Sequence, residues 1–321
     1  MIKTLVSAAV LLSAANILFA QQNDELQHVV VKTPFDHSAG KQAKTTSTQI
    51  LYHGGPVMNQ ANSVYVIYYG TAFASTTQPI INDFLFGLNG SAQYGVNQTY
   101  NAGPNTLPIP PAYSFTPPSG APAPQPSGSV YWDSYSQGTN LNTSSVAQVV
   151  AHAIAGGLPY NANGVYLVIT SPDVKIGGFC GSFCAYHTDG NISVSGVASH
   201  IRYALIPDPS QRCGGCNGGI AVYGDTTTPS GDIGADTMTD DIIHELSETV
   251  TDPDISAWYT QNGAENGDLC NYVYGPTLVG VNAVGAMYHY NVLLPSASSG
   301  SRPYLIQQIW KNVGGGVCAS Q

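Results

Sequence analysis

Ser63-Val64-Tyr65-Val66-Ile67-Tyr68-Tyr69 is a run of β-branched and aromatic residues with no polar alternation. That is the pattern of a strand covered on both faces rather than one. Gly164-Val165-Tyr166-Leu167-Val168-Ile169-Thr170 repeats it, Arg202-Tyr203-Ala204-Leu205-Ile206 gives a third strand, and Gly219-Ile220-Ala221-Val222-Tyr223 follows as another short apolar element of the same kind. Helical spacing appears between these runs. Ile80, Ile81, Phe84, Leu85 and Leu88 recur at helical intervals in residues 79–88, and residues 144–158 read as a helix with Ser144 or Ser145 as cap and Gly156-Gly157 as its end. Strands alternating with a few helices predict an α+β (mixed α/β) fold: a single domain around one mixed sheet, with long ordered loops. Residues 102–129 are loaded with proline and lack periodicity, so they read as a surface loop.

The chain begins with Lys3, an apolar run over residues 5–19 and the small residue Ala20, the pattern of a cleaved signal peptide over residues 1–20. Residues 21–48 are polar and read as an extended arm, leaving residues 49–321 as the folded domain. No later run approaches the roughly 20 apolar residues that span a bilayer. The expected location is therefore secreted and extracellular, or periplasmic in a Gram-negative bacterium. A net charge of −10 argues against nucleic acid and anionic membranes, which demand a basic face. The six cysteines of an exported chain favour disulfides. Cys180, Cys184, Cys213 and Cys216 are expected to staple neighbouring loops, locally or to each other, and Cys270 to tie the acidic segment to the C-terminus through Cys318. The rival reading of the CxxxC and CxxC pairs is a zinc site.

Between Cys213 and Ser301 there is no lysine or arginine, yet the stretch carries Asp225, Asp232, Asp236, Asp240, Asp241, Asp252, Asp254, Asp268, Glu245, Glu248 and Glu265. Burying even one unpaired carboxylate costs several kcal/mol. Either these acids are mostly solvated or a bound cation supplies the missing charge. Residues 237–250 form the best helix of the sequence, with the apolar stripe Ile242, Ile243, Leu246 and Val250, Thr237 or Thr239 as cap and Pro253 beyond its end. On that helix His244 and Glu248 lie one turn apart on one face.

His244-Glu245-Leu246-Ser247-Glu248 resembles the HExxH helix of zinc metallohydrolases, with glutamate replacing the second histidine. The resemblance implies a zincin-like active-site helix in which Glu245 acts as general base on a metal-bound water. His244 and Glu248 would be ligands and Glu265 a third, with Asp268, Asp252 and Asp254 as its competitors, Asp268 and Asp252 as ligands or their supports. One histidine with two carboxylates is a hard ligand set. Zinc is the expected divalent ion, with calcium, manganese or iron gaining ground over a two-histidine site.

Several separated motifs point further. His53-Gly-Gly-Pro-Val57 ahead of Tyr68-Tyr69-Gly70, the FCxxxC stretch at 179–184 followed by His187, Thr249-Val-Thr-Asp-Pro253, Ala257-Trp-Tyr259 and Glu265-Asn-Gly-Asp-Leu-Cys270 resemble, in the same order, the EXORDIUM-like or phosphate-induced protein 1 family over about residues 48–320. That resemblance implies an exported protein linked to the extracellular matrix, without an established reaction. His53 and Tyr259 are candidates for a pocket, though a turn-bonded histidine and a packed tyrosine are the ordinary roles. His187, His200 and His289 could each supply a second nitrogen, and their spacing selects none. Tyr131-Trp132-Asp133 and Tyr135 could line a glycan groove or pack within a strand. No GxSxG elbow, phosphate loop or dinucleotide fingerprint is present. Two functions remain: a metal-dependent, metallopeptidase-like hydrolase acting on peptides, or a non-catalytic protein binding a cell-wall or matrix glycan, with a structural ion or none.

Overall fold

The computed structural model describes residues 30–32, 49–60, 62–101, 113–115, 128–211 and 213–321. The expected signal peptide, most of the polar arm and most of the proline-rich loop lie outside them. The frame is a mixed seven-stranded sheet. Its strands are β1 (Val30–Lys32), β2 (Asn62–Tyr69), β3 (Tyr113–Ser114), β4 (Val130–Asp133), β5 (Gly164–Thr170), β6 (Ala185–Val194) and β7 (Val197–Pro207). Across the sheet they run β1-β6-β7-β5-β2, and β3 and β4 both pair with β2. The pairs β7–β5, β5–β2 and β2–β4 are parallel, whereas β1–β6 and the β6–β7 hairpin are antiparallel.

The absence of alternation in β2 and β5 has its reason in the layers above and below them. Helix α2 (Thr143–Ala155) covers one face, packing Val146, Val149 and Val150 on Tyr65, Ile67, Tyr69, Tyr166, Val168 and Leu205. Helices α1 (Thr77–Leu88) and α3 (Ile233–Thr251) cover the other, against Val64, Val66, Tyr68, Val165, Leu167, Ile169, Ala204 and Ile206. Successive side chains of a strand point to opposite faces, so each of these strands feeds two cores. Trp132 stacks on Tyr68 with ring centroids 4.6 Å apart and Tyr131 packs on the α2 face, both partly buried in strand β4.

Three local readings change. Asn142, not Ser144 or Ser145, caps α2, because its side chain accepts from the Ser145 amide while the Ser145 hydroxyl engages the Asn142 backbone in a reciprocal box. Helix α3 starts a turn earlier than its apolar stripe suggests, since the Asp232 carboxylate accepts from the Ala235 amide and Thr239 donates to the Asp236 carbonyl. Gly219–Tyr223 is a π-helical turn rather than a strand. The Asn217 side chain accepts from the Ile220 amide at its start, and Gly224, with φ of 72°, ends it in a left-handed conformation suited to glycine.

The cysteines form three disulfides: Cys180–Cys213, Cys184–Cys216 and Cys270–Cys318. The first two cross-link the paired motifs to each other and leave no thiolate there for zinc. The third ties the acidic segment to the C-terminal hairpin of Ile309–Lys311 and Val317–Ala319.

Candidate metal centre

Helix α3 is buried along both its apolar and its polar sides. Ile242, Ile243, Leu246 and Val250 have 0 % exposure, and so do His244, Glu245 and Glu248. The solvated acidic face that would make these carboxylates harmless does not exist. Three other elements close over them. Strand β6 places Ala185 on the α3 face of the sheet and His187, two residues on, beside it. The segment after Thr260 folds back through Glu265, Asn266 and Gly267 into a short turn at Asp268–Cys270. Behind α3, the stretch that precedes the C-terminal hairpin brings in Gln307.

The contacts within the cluster are short. His244 Nε2 lies 3.1 Å from Glu248 Oε1 and 3.7 Å from Asp268 Oδ1. His187 Nε2 lies 2.9 Å from Glu265 Oε2 and 3.6 Å from Glu248 Oε2. Glu248 therefore bridges the two histidines. Its Oε1 also accepts from the Asp268 amide at 3.0 Å, and the Glu265 amide donates to Asp268 Oδ2 at 3.1 Å, which locks the loop onto the helix. Gly267 permits this closeness: a Cβ built on it would sit 2.8 Å from Glu248 Oε1 and 2.9 Å from the His244 ring.

The tautomer of His244 follows from its neighbour. Gln307 donates its amide nitrogen to the Gly267 carbonyl at 2.8 Å, so its Oε1, 3.0 Å from His244 Nδ1, is an acceptor and Nδ1 carries the proton. In the neutral ring, Nε2 is then a bare lone pair turned toward Glu248 and Asp268. Although Nε2 is 3.1 Å from Glu248 Oε1, it lacks the alignment of a hydrogen bond. Glu248 Oε2, Glu265 Oε1 and both oxygens of Glu245 are likewise buried without a hydrogen-bond partner.

The electrostatics have one theme. Burial pushes Glu245 well above the usual carboxylate range; His244 opposes it, and Glu248, Asp241 and Asp268 add to it. Glu265 is raised the same way, by burial first and then by Glu248 and Asp252. Burial also lowers His187 to about 4, so its ring is neutral near pH 7. For His244, burial favours the neutral ring but is outweighed by Glu248 and Asp268, which raise it well above its ordinary value. No lysine or arginine contributes at any of these groups. The described cations that pair do so elsewhere, Arg202 with Asp254 and Arg302 with Asp83.

Donor atoms of His187, Glu248 and Glu265 lie within 4.8 Å of one another, as do those of His244, Glu245 and Glu248. Tetrahedral bonds of about 2.0–2.2 Å place neighbouring donors roughly 3.3–3.6 Å apart. In the first group His187 stands 2.9 Å from Glu265 and 3.6 Å from Glu248, and in the second His244 stands 3.1 Å from Glu248, which scatter about that value. The residues present thus fit a divalent ion by donor type, spacing and unmatched charge. Glu248 is shared by the two groups, and each offers one imidazole and two carboxylates. Nothing near His187 in the chain marks it as a partner of His244. Its signal is a histidine on the core-facing side of a strand, visible only once the register is known.

The remaining candidates separate. Asp268, with its side chain 20 % exposed, is the carboxylate of the group that reaches solvent. Asp252 ends α3 and its Oδ1 accepts from the Ser256 and Ala257 amides, fixing the exit loop. His53 and Tyr259 do meet, their rings stacked 3.7 Å apart, but their interaction is with each other and not with the buried cluster. His200 pairs with Asp254 and Asp189, and His289 with Asp225.

Comparison with known proteins agrees with the motifs. "Protein EXORDIUM-like 3" of Arabidopsis thaliana is 29 % identical over 308 residues, which cover 87 % of this chain and 85 % of the relative. "Protein EXORDIUM-like 5" of the same plant is 29 % identical over 290 residues, covering 81 % and 74 %. No solved structure matches the chain. The family model described as "Phosphate-induced protein 1 conserved region" matches residues 50–319, and the chain belongs to that family.

Proposed function

We propose that this protein is an exported, non-catalytic metalloprotein of the extracellular matrix or cell wall. In this reading a buried divalent ion, zinc by its ligands, fastens helix α3, strand β6 and the 265–270 loop together. The observation that carries it is the enclosure of His187, His244, Glu248 and Glu265, all at 0 % exposure with no cation beside them. A structural ion is closed off by its ligands, whereas a catalytic one keeps a position open to substrate. The fold gains in proportion, because an ion that binds only the folded chain stabilises it by about 2.7 kcal/mol at a hundredfold excess over Kd. Three disulfides and the lack, among the described residues, of a helix long and apolar enough to cross a membrane support the extracellular setting.

Glu245 favours a second reading, a metallopeptidase-like hydrolase. Both its oxygens are unpartnered beside His244, where a general base would stand, and Asp268 marks the side from which water enters. One set of samples separates the readings: chelated protein, protein restored with zinc, and restored Glu245→Gln, each melted and each offered a broad peptide and ester panel. The structural reading expects melting to rise by about 5 °C or more on zinc addition with no turnover. Turnover that Glu245→Gln lowers by about 10²-fold or more would replace it with the hydrolase. No response to any divalent ion would remove both.

A further inference from the structure

The two donor groups of the centre share Glu248 and no other residue. Its Oε2 lies 3.6 Å from His187 Nε2 and its Oε1 lies 3.1 Å from His244 Nε2, so each carboxylate oxygen serves a different imidazole. Resting on the metal reading above, we propose that the centre has room for a pair of divalent ions bridged by Glu248. The first is the ion already described. The second is an exchangeable one held by His244, Glu245 and Glu248.

Glu245 points to the second occupant. It is 0 % exposed, neither of its oxygens has a hydrogen-bond partner, and its donor atom falls within 4.8 Å of those of His244 and Glu248. It is not a ligand of the first ion, which therefore leaves it as unmatched as before. The charges agree. Glu245, Glu248, Glu265 and Asp268 bring their carboxylates to one place, and among the described residues no lysine or arginine pairs with any of them. A single divalent ion matches half of that negative charge, whereas a pair matches all of it, and an uncompensated buried carboxylate is costly.

The ligands divide evenly. His187, Glu265 and Glu248 Oε2 face one position, and His244, Glu245 and Glu248 Oε1 face the other. With its Nδ1 proton committed to Gln307, His244 has one lone pair and serves one ion at a time, passing from the first to the second as the pair fills. Two-metal sites hold their ions about 3.5–4 Å apart, the reach of one bridging carboxylate. Asp268 Oδ1, 3.7 Å from His244 Nε2 on a side chain 20 % exposed, stands at the solvent end of the second position. The second ion therefore exchanges more readily than the first and is lost on purification without added metal. The remaining described group of donors, Asp189, His200 and Asp254, differs in kind: it is half-buried, and Arg202 Nε already stands 2.7 Å from Asp254 Oδ1 as its cation.

Equilibrium dialysis of the chelated, purified mature protein against zinc, with bound metal counted by elemental analysis, tests the pair. The parent should saturate at about two equivalents, one tight and one weaker. Glu245→Gln should keep the first and bind the second at least tenfold more weakly, and His200→Ala should keep both. Saturation at one equivalent overturns the second ion and leaves the single-ion reading standing, whereas no zinc at all overturns that reading and this inference with it. A second equivalent that keeps its affinity in Glu245→Gln, or disappears in His200→Ala, is an ion on the surface and overturns the proposal. Where Glu245→Gln does not fold, Asp268→Asn decides, since it keeps an oxygen for the Glu265 amide; parental affinity for the second ion in that variant overturns the pair.

Discussion

Gly267→Ala places one methyl group against the proposed ligands and changes little else. Gly267 has φ of −73°, open to any residue, so the substitution carries no backbone strain. The new Cβ would lie 2.8 Å from Glu248 Oε1 and 2.9 Å from both Cγ and Cδ2 of His244. Carbon contacts prefer about 3.5–4.0 Å, so the ring must retreat by roughly 0.6–1.1 Å. Metal sites tolerate about 0.2 Å in their ligand distances, and the shift exceeds that several-fold. Overpacking costs about 1–3 kcal/mol on its own, or about 2–4 °C of melting temperature per kcal/mol in a domain of this size. The decisive quantity is the difference between zinc-restored and chelated protein, measured by thermal melting and zinc titration. We expect the zinc-dependent rise to collapse in Gly267→Ala and zinc affinity to fall by at least tenfold. Gly177→Ala, whose Cβ meets nothing within 4 Å, should match the parent. If Gly267→Ala lowers melting equally with and without zinc, the methyl disturbs packing and not an ion, and the reasoning is refuted.

Glu245→Gln removes a buried carboxylate that has no partner, so at pH 7 the chelated variant should melt no lower than chelated parent and should still take up zinc; a loss of zinc would make Glu245 a ligand instead. Replacing Cys270 and Cys318 by serine opens a loop of sequence separation 48, for which chain entropy predicts a loss of roughly 4 kcal/mol, and zinc binding should weaken with it because Cys270 anchors the end of the 265–270 segment that carries Glu265 and Asp268. Parental zinc affinity in that variant would show that the hairpin does not hold the loop. Asp83 supplies a pH dependence: burial acts to raise it, but Ser298, Ser296 and Arg302 outweigh this and hold it below its ordinary value. Its contribution is therefore present above the unfolded carboxylate range near 4 and lost as pH falls through the folded value, and Asp83→Asn should flatten acid unfolding there. An unchanged acid limb would assign the effect to other groups.

What was legible in the sequence was whatever depends on local geometry. The spacing of His244 and Glu248 fixes a shared helix face, and strands β2 and β5 declare their two-sided burial by lacking polar positions. Cys270–Cys318 was legible as the pairing left over once the close cysteines were grouped. Gly219–Tyr223 was not, because an apolar run has the same composition in a strand and in a helical turn, and the decision rests with Asn217 and Gly224 at its ends. His187 was hidden for a different reason. Its meeting with Glu265 spans 78 residues and depends on the register of β6 against β7. Burial of the polar side of α3 was equally illegible, since it requires β6, the 265–270 loop and Gln307 to close over it from three separate stretches.

The most direct test of the central claim is elemental analysis of the purified mature protein beside His187→Ala and His244→Ala. About one equivalent of a transition metal, zinc foremost, is expected in the parent, with a substantial loss in both variants, including the one at the histidine that sequence spacing does not select. No transition metal in the parent, even after incubation with zinc, would contradict it. So would full metal content in His187→Ala, which would remove strand β6 from the centre.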